Sequence, residues 1–169
     1  MNDIADGALA LAEARDNYAS RGFQSLEAMV AVTAINRSQH LIGQRLTAIL
    51  EPYRLSVPRY EALTVLWFSR AEELPIGILA SRLMLHVASA SYLVDRLVED
   101  GLVERVADRS DRRRVIARLT HHGARIAELA TIDLDRNRFG LLEIDDAVAT
   151  QLSSSLQPLH EQRMCDPGD

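Results

Sequence analysis

Leu102-Val103-Glu104-Arg105-Val106, then Asp108-Arg109-Ser110-Asp111-Arg112-Arg113-Arg114, then Val115-Ile116-Ala117-Arg118-Leu119 is the stretch on which the fold turns. Two short apolar runs enclose an arginine-rich turn, the pattern of a β-hairpin with a charged tip. Residues 105–118 hold six arginines against two aspartates, a local charge of +4 in a chain whose sum is −5. Positive charge gathered on one protruding element is suited to phosphates. Taken alone, such a turn reads first as a solvated hairpin tip. The residues before it change that reading.

Leu74 to Leu85 begins with Pro75, a helix-starting residue, and carries Ile76, Leu79, Ala80 and Leu83 at helical spacing. His86 to Asp100 follows, and Gly101 offers a left-handed stop. In this second helix Ala90, Leu93, Val94, Leu97 and Val98 form one apolar stripe. The opposite face shows Ala88, Ser91, Tyr92, Asp95 and Arg96, with Ser89 on the shoulder. Small and hydrogen-bonding side chains near the start of a short amphipathic helix suit the DNA major groove. The order helix, turn, helix, glycine, strand, arginine-rich turn, strand is that of a winged helix-turn-helix.

Composition suits a compact regulator. The 169 residues are 47% hydrophobic with few aromatics, enough for a buried core and biased toward helix. No apolar run reaches membrane-span length, and Met1-Asn2-Asp3-Ile4 is unlike a signal peptide, so a cytoplasmic protein without a membrane partner is expected. Residues 1–25 form an Ala-rich extension in which 6–18 is read as helix and Gly22 as its break. Residues 26–51 form a long helix ended by Pro52, and Ser56 and Pro58 open another over 57–70, with Tyr60, Leu63, Thr64, Leu66, Trp67 and Phe68 turned largely toward a core. Beyond the hairpin, Thr120 is an N-cap and residues 123–138 a helix. Phe139-Gly140 interrupts it, and residues 144–162 form a last helix kinked at Pro158. Residues 163–169 are expected to be a flexible tail.

The expected architecture is therefore mainly α with a small β-hairpin wing. It is a single domain over 26–162, with the winged helix-turn-helix at 52–120 and flanking helices at 26–51 and 121–162. Those flanking helices carry more apolar surface than the winged module can cover. A stripe such as Val148, Leu152, Leu156 and Leu159 left in water invites aggregation, and a two-fold dimer covers it. Two wings and two reading helices would then face a palindromic operator on double-stranded DNA, its half-sites about one helical turn apart.

From Pro52 to Gly123 the chain resembles the MarR (multiple antibiotic resistance regulator) family. The run Leu93-Val94-Asp95-Arg96-Leu97-Val98-Glu99-Asp100-Gly101-Leu102-Val103 matches that family's Leu-Val-Asp-Arg-Leu-x-x-x-Gly-Leu-Val. Asp111-Arg112-Arg113, with Val115 to Thr120 and Gly123, matches its wing signature of Asp-x-Arg and a strand ending Leu-Thr-x-x-Gly. The resemblance implies a dimeric DNA-binding regulator, usually a repressor, often released by a small molecule. It assigns Arg113 to the minor groove and Asp111 to orienting it or a neighbouring backbone group. A narrow minor groove concentrates negative potential where a guanidinium fits. Arg109 and Arg112 read as phosphate contacts, and His86, Ala88, Ser89, Ser91, Tyr92 and Arg96 as the reading helix's contribution.

The chain departs from the pattern at three places: His86 where Ser or Thr often starts the reading helix, Tyr92 where arginine is frequent, and Met84 at a turn position that is often glycine. The bases read here therefore cannot be borrowed from a relative. The family's ligand pockets point to Asn36 and His40, one turn apart, with Arg59, Tyr60 and Trp67 as basic and aromatic wall; an aromatic or apolar acid is the expected effector. The competing reading makes Trp67 a core residue and His40 an interface polar group. Cys165, the single cysteine, excludes an intramolecular disulfide and reads as incidental rather than peroxide-sensing. His121-His122 diverge by about 100° on a helix start and make a poor chelate, so no metal is expected unless two subunits pool ligands, and no cofactor or catalytic residue is expected either. No phosphate loop or nucleophile elbow supports an enzyme. The alternative to a regulator is a winged-helix interaction or ligand-binding module with weak or no specific DNA binding.

Overall fold

A computed structural model describes residues 3–108 and 114–161. The expected wing-tip residues Arg109, Asp111, Arg112 and Arg113 lie outside the described residues, as does the tail with Cys165. The chain divides into two compact units, Met1–Ala48 and Ile49–Asp169.

The first unit holds α1 (Asp3–Ser20) and most of α2 (Leu26–Leu50), which runs into the start of the second. Between them the chain turns at Gly22, whose φ of +76° is open to a residue without Cβ. An Arg15–Glu27 ion pair and the Tyr18–Phe23 ring contact fasten the turn.

In the second unit the end of α2 is followed by a single 3-10 turn at Glu51–Tyr53, where Pro52 ends α2 as its missing N–H requires. Next come α3 (Val57–Trp67), β1 (Glu73–Pro75), α4 (Ile76–Arg82) and α5 (Val87–Glu99). Then follow β2 (Val103–Ala107), β3 (Val115–Leu119), α6 (His121–Arg136), a 3-10 turn at Arg138–Gly140 and α7 (Asp146–Glu161). Leu50, Leu63 and Leu66 meet Leu79, Val94, Leu97, Val103 and Leu134 in a fully buried core. Ala62, Ala80, Ala90, Ala127 and Ala130 are equally buried, small residues that let these helices approach closely.

The sheet has three strands, not the two of a hairpin, in the antiparallel order β1-β3-β2. Leu74 and Pro75 belong to the added strand, and Pro75 ends it as the N-cap of α4 rather than lying in the helix's first turn. A three-residue strand is too short for alternation to show; pairing with a segment more than forty residues away makes it one. Arg118 stands between Glu73 and Glu104 in register and bonds both, at 2.6 and 3.4 Å, a ladder of opposite charge across all three strands.

Three further expectations are corrected. Val98 is 37% exposed, so the buried stripe of α5 is Ala90, Val94 and Leu97 with Leu93 half-buried. Phe68 does not face a core: as the residue that ends α3 it leaves the helix's buried side and is 72% exposed. The helix expected to reach Leu85 stops at Arg82, because Met84 turns left-handed at φ +55°.

Helix α6 closes onto the sheet through Thr120 and Gly123. The Thr120 hydroxyl donates to the Gly101 carbonyl at 2.8 Å and accepts from the Gly123 amide at 2.9 Å, the expected N-cap. A Cβ on Gly123 would fall 2.0 Å from the Leu102 carbonyl oxygen. The Thr-x-x-Gly spacing is thus a capping bond plus a close backbone approach. Helix α7 continues through Pro158 as one element.

Candidate nucleic-acid interface

Helices α4 and α5 meet at 107°, within the range of a helix-turn-helix. By length and composition this bent pair alone resembles a membrane span; among the described residues no single helix is long and apolar enough. One apolar side of each helix faces inward: Ile76, Leu79 and Ala80 from α4 and Ala90, Val94 and Leu97 from α5 are buried, whereas Ile78, Val87 and Val98 are exposed.

Fixing α5 by that stripe leaves its other side outward. His86, Ala88, Ser89, Tyr92, Asp95 and Arg96 are exposed, Tyr92 at 65%, and Ser91 is half-buried. Six residues of the expected reading set, His86, Ala88, Ser89, Ser91, Tyr92 and Arg96, therefore share the first three turns of one helix. The His86 side chain makes no capping bond, so it is a residue at the helix start rather than a cap of its amides. Arg96 pairs with Glu99 at 2.5 Å on the surface, a contact that a phosphate can displace at small cost.

The strands of the wing approach α5 from the side. The backbone bond from the Asp108 amide to the Arg114 carbonyl, 3.1 Å, closes the described part of the hairpin. Arg114 and Val115 are exposed at its edge and border an open groove of about 390 Å³, with Ile76, Val87, Ser91 and Arg105 on the other sides. Arg105 is tied to Ser91 and Asp95, and Arg118 to Glu73 and Glu104. The Glu73 hydrogen bond first, with help from Glu104, raises the Arg118 pKa further above its usual value. Two of the six hairpin arginines thus act within the fold, a division that counting charge along the chain cannot make. Sequence reasoning also left Arg105 and Arg114 out of the site; the alternation of β2 was the available signal for Arg105.

The expected ligand residues fall in both units. Asn36 and His40 are exposed one turn apart on α2, with His40 Nε2 3.0 Å from Gln44 Nε2. In the second unit Arg59 pairs with Asp100 and donates to the Arg54 carbonyl at 3.2 Å, while its Nε is buried without a hydrogen-bond partner. Burial, and then the neighbouring Arg96 charge, lowers its pKa. Tyr60 is only 8% exposed, its hydroxyl 3.0 Å from Thr131 Oγ1, and burial raises its pKa. Trp67 stacks on Phe68 with centroids 5.0 Å apart and borders a cleft of about 400 Å³ against Thr131, Ile132 and Asp135 of α6. Arg59 and Tyr60 do not line that cleft. Both histidines of the 121–122 pair are exposed at the start of α6.

An outward reading helix beside a basic hairpin, both braced on a three-stranded sheet, defines a winged helix-turn-helix DNA-binding protein. Residues 55–115 match the model of the MarR family. The chain is 36% identical to Sco5413, a MarR family transcriptional regulator of Streptomyces coelicolor; the superposition covers 81% of this chain and 95% of that one at a TM-score of 0.75. It is 30% identical to CouR of Rhodococcus jostii RHA1, solved bound to p-coumaroyl-CoA, over 76% and 90% of the two chains at a TM-score of 0.67. It is also 33% identical over 88 residues to the HTH-type transcriptional regulator YsmB of Bacillus subtilis (strain 168), 52% of this chain and 59% of that protein. This chain belongs to the MarR family of transcriptional regulators. It is a DNA-binding regulator and not an enzyme.

Proposed function

We propose that this protein is a homodimeric repressor that binds a palindromic operator in the cytoplasm and leaves it when a small organic effector binds. The observation that carries the reading is the exposed face of α5, from His86 to Arg96, set beside a hairpin whose sequence is the most basic in the chain. Dimerisation is supported by Val32, Ile35 and Leu41 on α2 and Val148, Leu152 and Leu159 on α7, all at least 41% exposed in a single copy. The effector reading is supported by Trp67 on its open cleft, where Arg136 offers a cation to a carboxylate. CouR, with its bound p-coumaroyl-CoA, is a relative holding an aromatic acyl ligand. An aromatic or apolar acid is the class proposed here. It acts only through unequal affinity for DNA-competent and splayed arrangements, and a coupling of about 1–3 kcal/mol lowers operator affinity roughly 5- to 150-fold.

The test is a salt titration of binding to a DNA fragment carrying the protein's own promoter. Specific binding that falls steeply with salt is expected. Binding without sequence preference would instead identify a winged-helix interaction module. A thermal-shift screen of aromatic and apolar acids, followed by operator release, tests the effector; a compound that binds tightly yet leaves DNA affinity unchanged refutes release.

A further inference from the structure

Helix α5 carries an acid where it should repel phosphates: Asp95 lies between Tyr92 and Arg96 on the outward side, 54% exposed at its side chain. Its partner explains it. Arg105, from the middle of β2, brings one terminal guanidinium nitrogen 2.7 Å from Asp95 Oδ1. The same nitrogen donates to Ser91 Oγ at 2.7 Å and to the Ser91 carbonyl at 3.1 Å. Ser91 and Asp95 are one helical turn apart, so a single guanidinium spans both. The contact cancels the carboxylate's charge and joins the root of the wing to the reading helix.

It also decides what the Ser91 hydroxyl can do. A serine hydroxyl has one donor and two acceptor sites and ordinarily rotates to suit its partner. Here one of its two acceptor sites is filled by a cationic donor, which weakens the remaining lone pair and strengthens the hydroxyl as a donor, and its own proton has no partner among the described residues. In the major groove, guanine N7 and O6, adenine N7 and thymine O4 accept, whereas cytosine N4 and adenine N6 donate. We infer that Arg105 is a positioning residue for operator reading: by holding Ser91 Oγ against Asp95 it makes the Ser91 hydroxyl a donor, which selects a base edge bearing an acceptor. The inference rests on the proposed sequence-specific DNA binding and adds which base chemistry one side chain reads and what sets it.

The test is a selection from a randomised duplex library with the full-length protein, wild type and variants. Wild type enriches a motif. Ser91→Ala relaxes one position in each half-site, and that position carries guanine, adenine or thymine facing the helix in the wild-type motif. Arg105→Met, which keeps the stem and removes the donor, relaxes the same position, with discrimination there falling about five- to tenfold. Arg105→Gln, still able to donate to Ser91, retains the preference. Two results would each overturn the inference: an unchanged preference in Arg105→Met or Ser91→Ala, or an affinity loss uniform across all sequences, the mark of a merely structural role. Should Arg105→Met not fold, Ser91→Ala still decides whether Ser91 reads a base, and loss of the preference in Arg105→Gln would overturn the role of the donor at position 105. A wild-type protein that enriches no motif would remove the proposed function itself. Failure of Arg105 alone would leave that function standing.

Discussion

At Gly123 one methyl group decides whether the helix after the wing can close onto the sheet. Its Cβ would meet the Leu102 carbonyl at 2.0 Å, a backbone atom that cannot swing aside. Gly123→Ala should therefore destabilise the fold by about 1–3 kcal/mol, read as a lower urea midpoint at unchanged slope. Met84 poses the opposite case: a side chain holds a left-handed φ of +55° that costs about 1–2 kcal/mol without glycine. Met84→Gly relieves that strain against glycine's larger loss of entropy, for a net gain of about 0.5–1 kcal/mol in the same measurement. Tyr60 supplies a pH dependence. Burial raises its pKa above 10.0 in the folded state, so its contribution to stability is complete below pH 10 and is lost as pH rises through the folded value. Melting temperature measured from pH 9 to 11 should fall less steeply in Tyr60→Phe than in wild type.

Among the elements, the long periodic helices and the two wing strands were legible in the sequence, because a buried stripe repeats along each one. Strand β1 was not, since three residues carry no period and only its pairing with β3 defines it. The exposed face of α5 was readable from its buried one. The fate of individual arginines was not: Arg105 and Arg118 count as wing charge along the chain, yet each bonds acids on other elements. At the wing tip, Arg113→Ala should weaken operator binding by about 1–3 kcal/mol if Arg113 enters the minor groove as the family pattern assigns. Arg109→Ala and Arg112→Ala, as phosphate contacts, should weaken binding to every sequence and flatten the salt slope by about one unit each. An Arg113→Ala protein that holds operator like wild type would unseat the wing assignment.

For the whole molecule, apolar side chains left exposed on α2 and α7 call for a partner copy. Light scattering at micromolar concentration should give about twice 18.8 kDa. Leu152→Glu, placing charge on the exposed stripe of α7, should shift the protein toward monomer and weaken binding to a two-half-site operator more than to a single half-site. A Leu152→Glu protein that stays dimeric would take α7 out of the interface. Every one of the 19 basic residues is arginine, so the molecule meets phosphates and carboxylates alike with planar, permanently charged forks.

Local sequence is enough for the helix-turn-helix, the wing strands and the family. Each rests on local periodicity, on turn residues such as Gly101, or on motifs whose spacing is contiguous. Tertiary structure alone decided the third strand, the outward turn of Phe68, the need for a bare backbone at Gly123 and the hold of Arg105 on Ser91 and Asp95. These depend on residues distant in sequence meeting at hydrogen-bond or van der Waals range. Such meetings follow from how the hydrophobic faces pack, and no single segment of the chain encodes them.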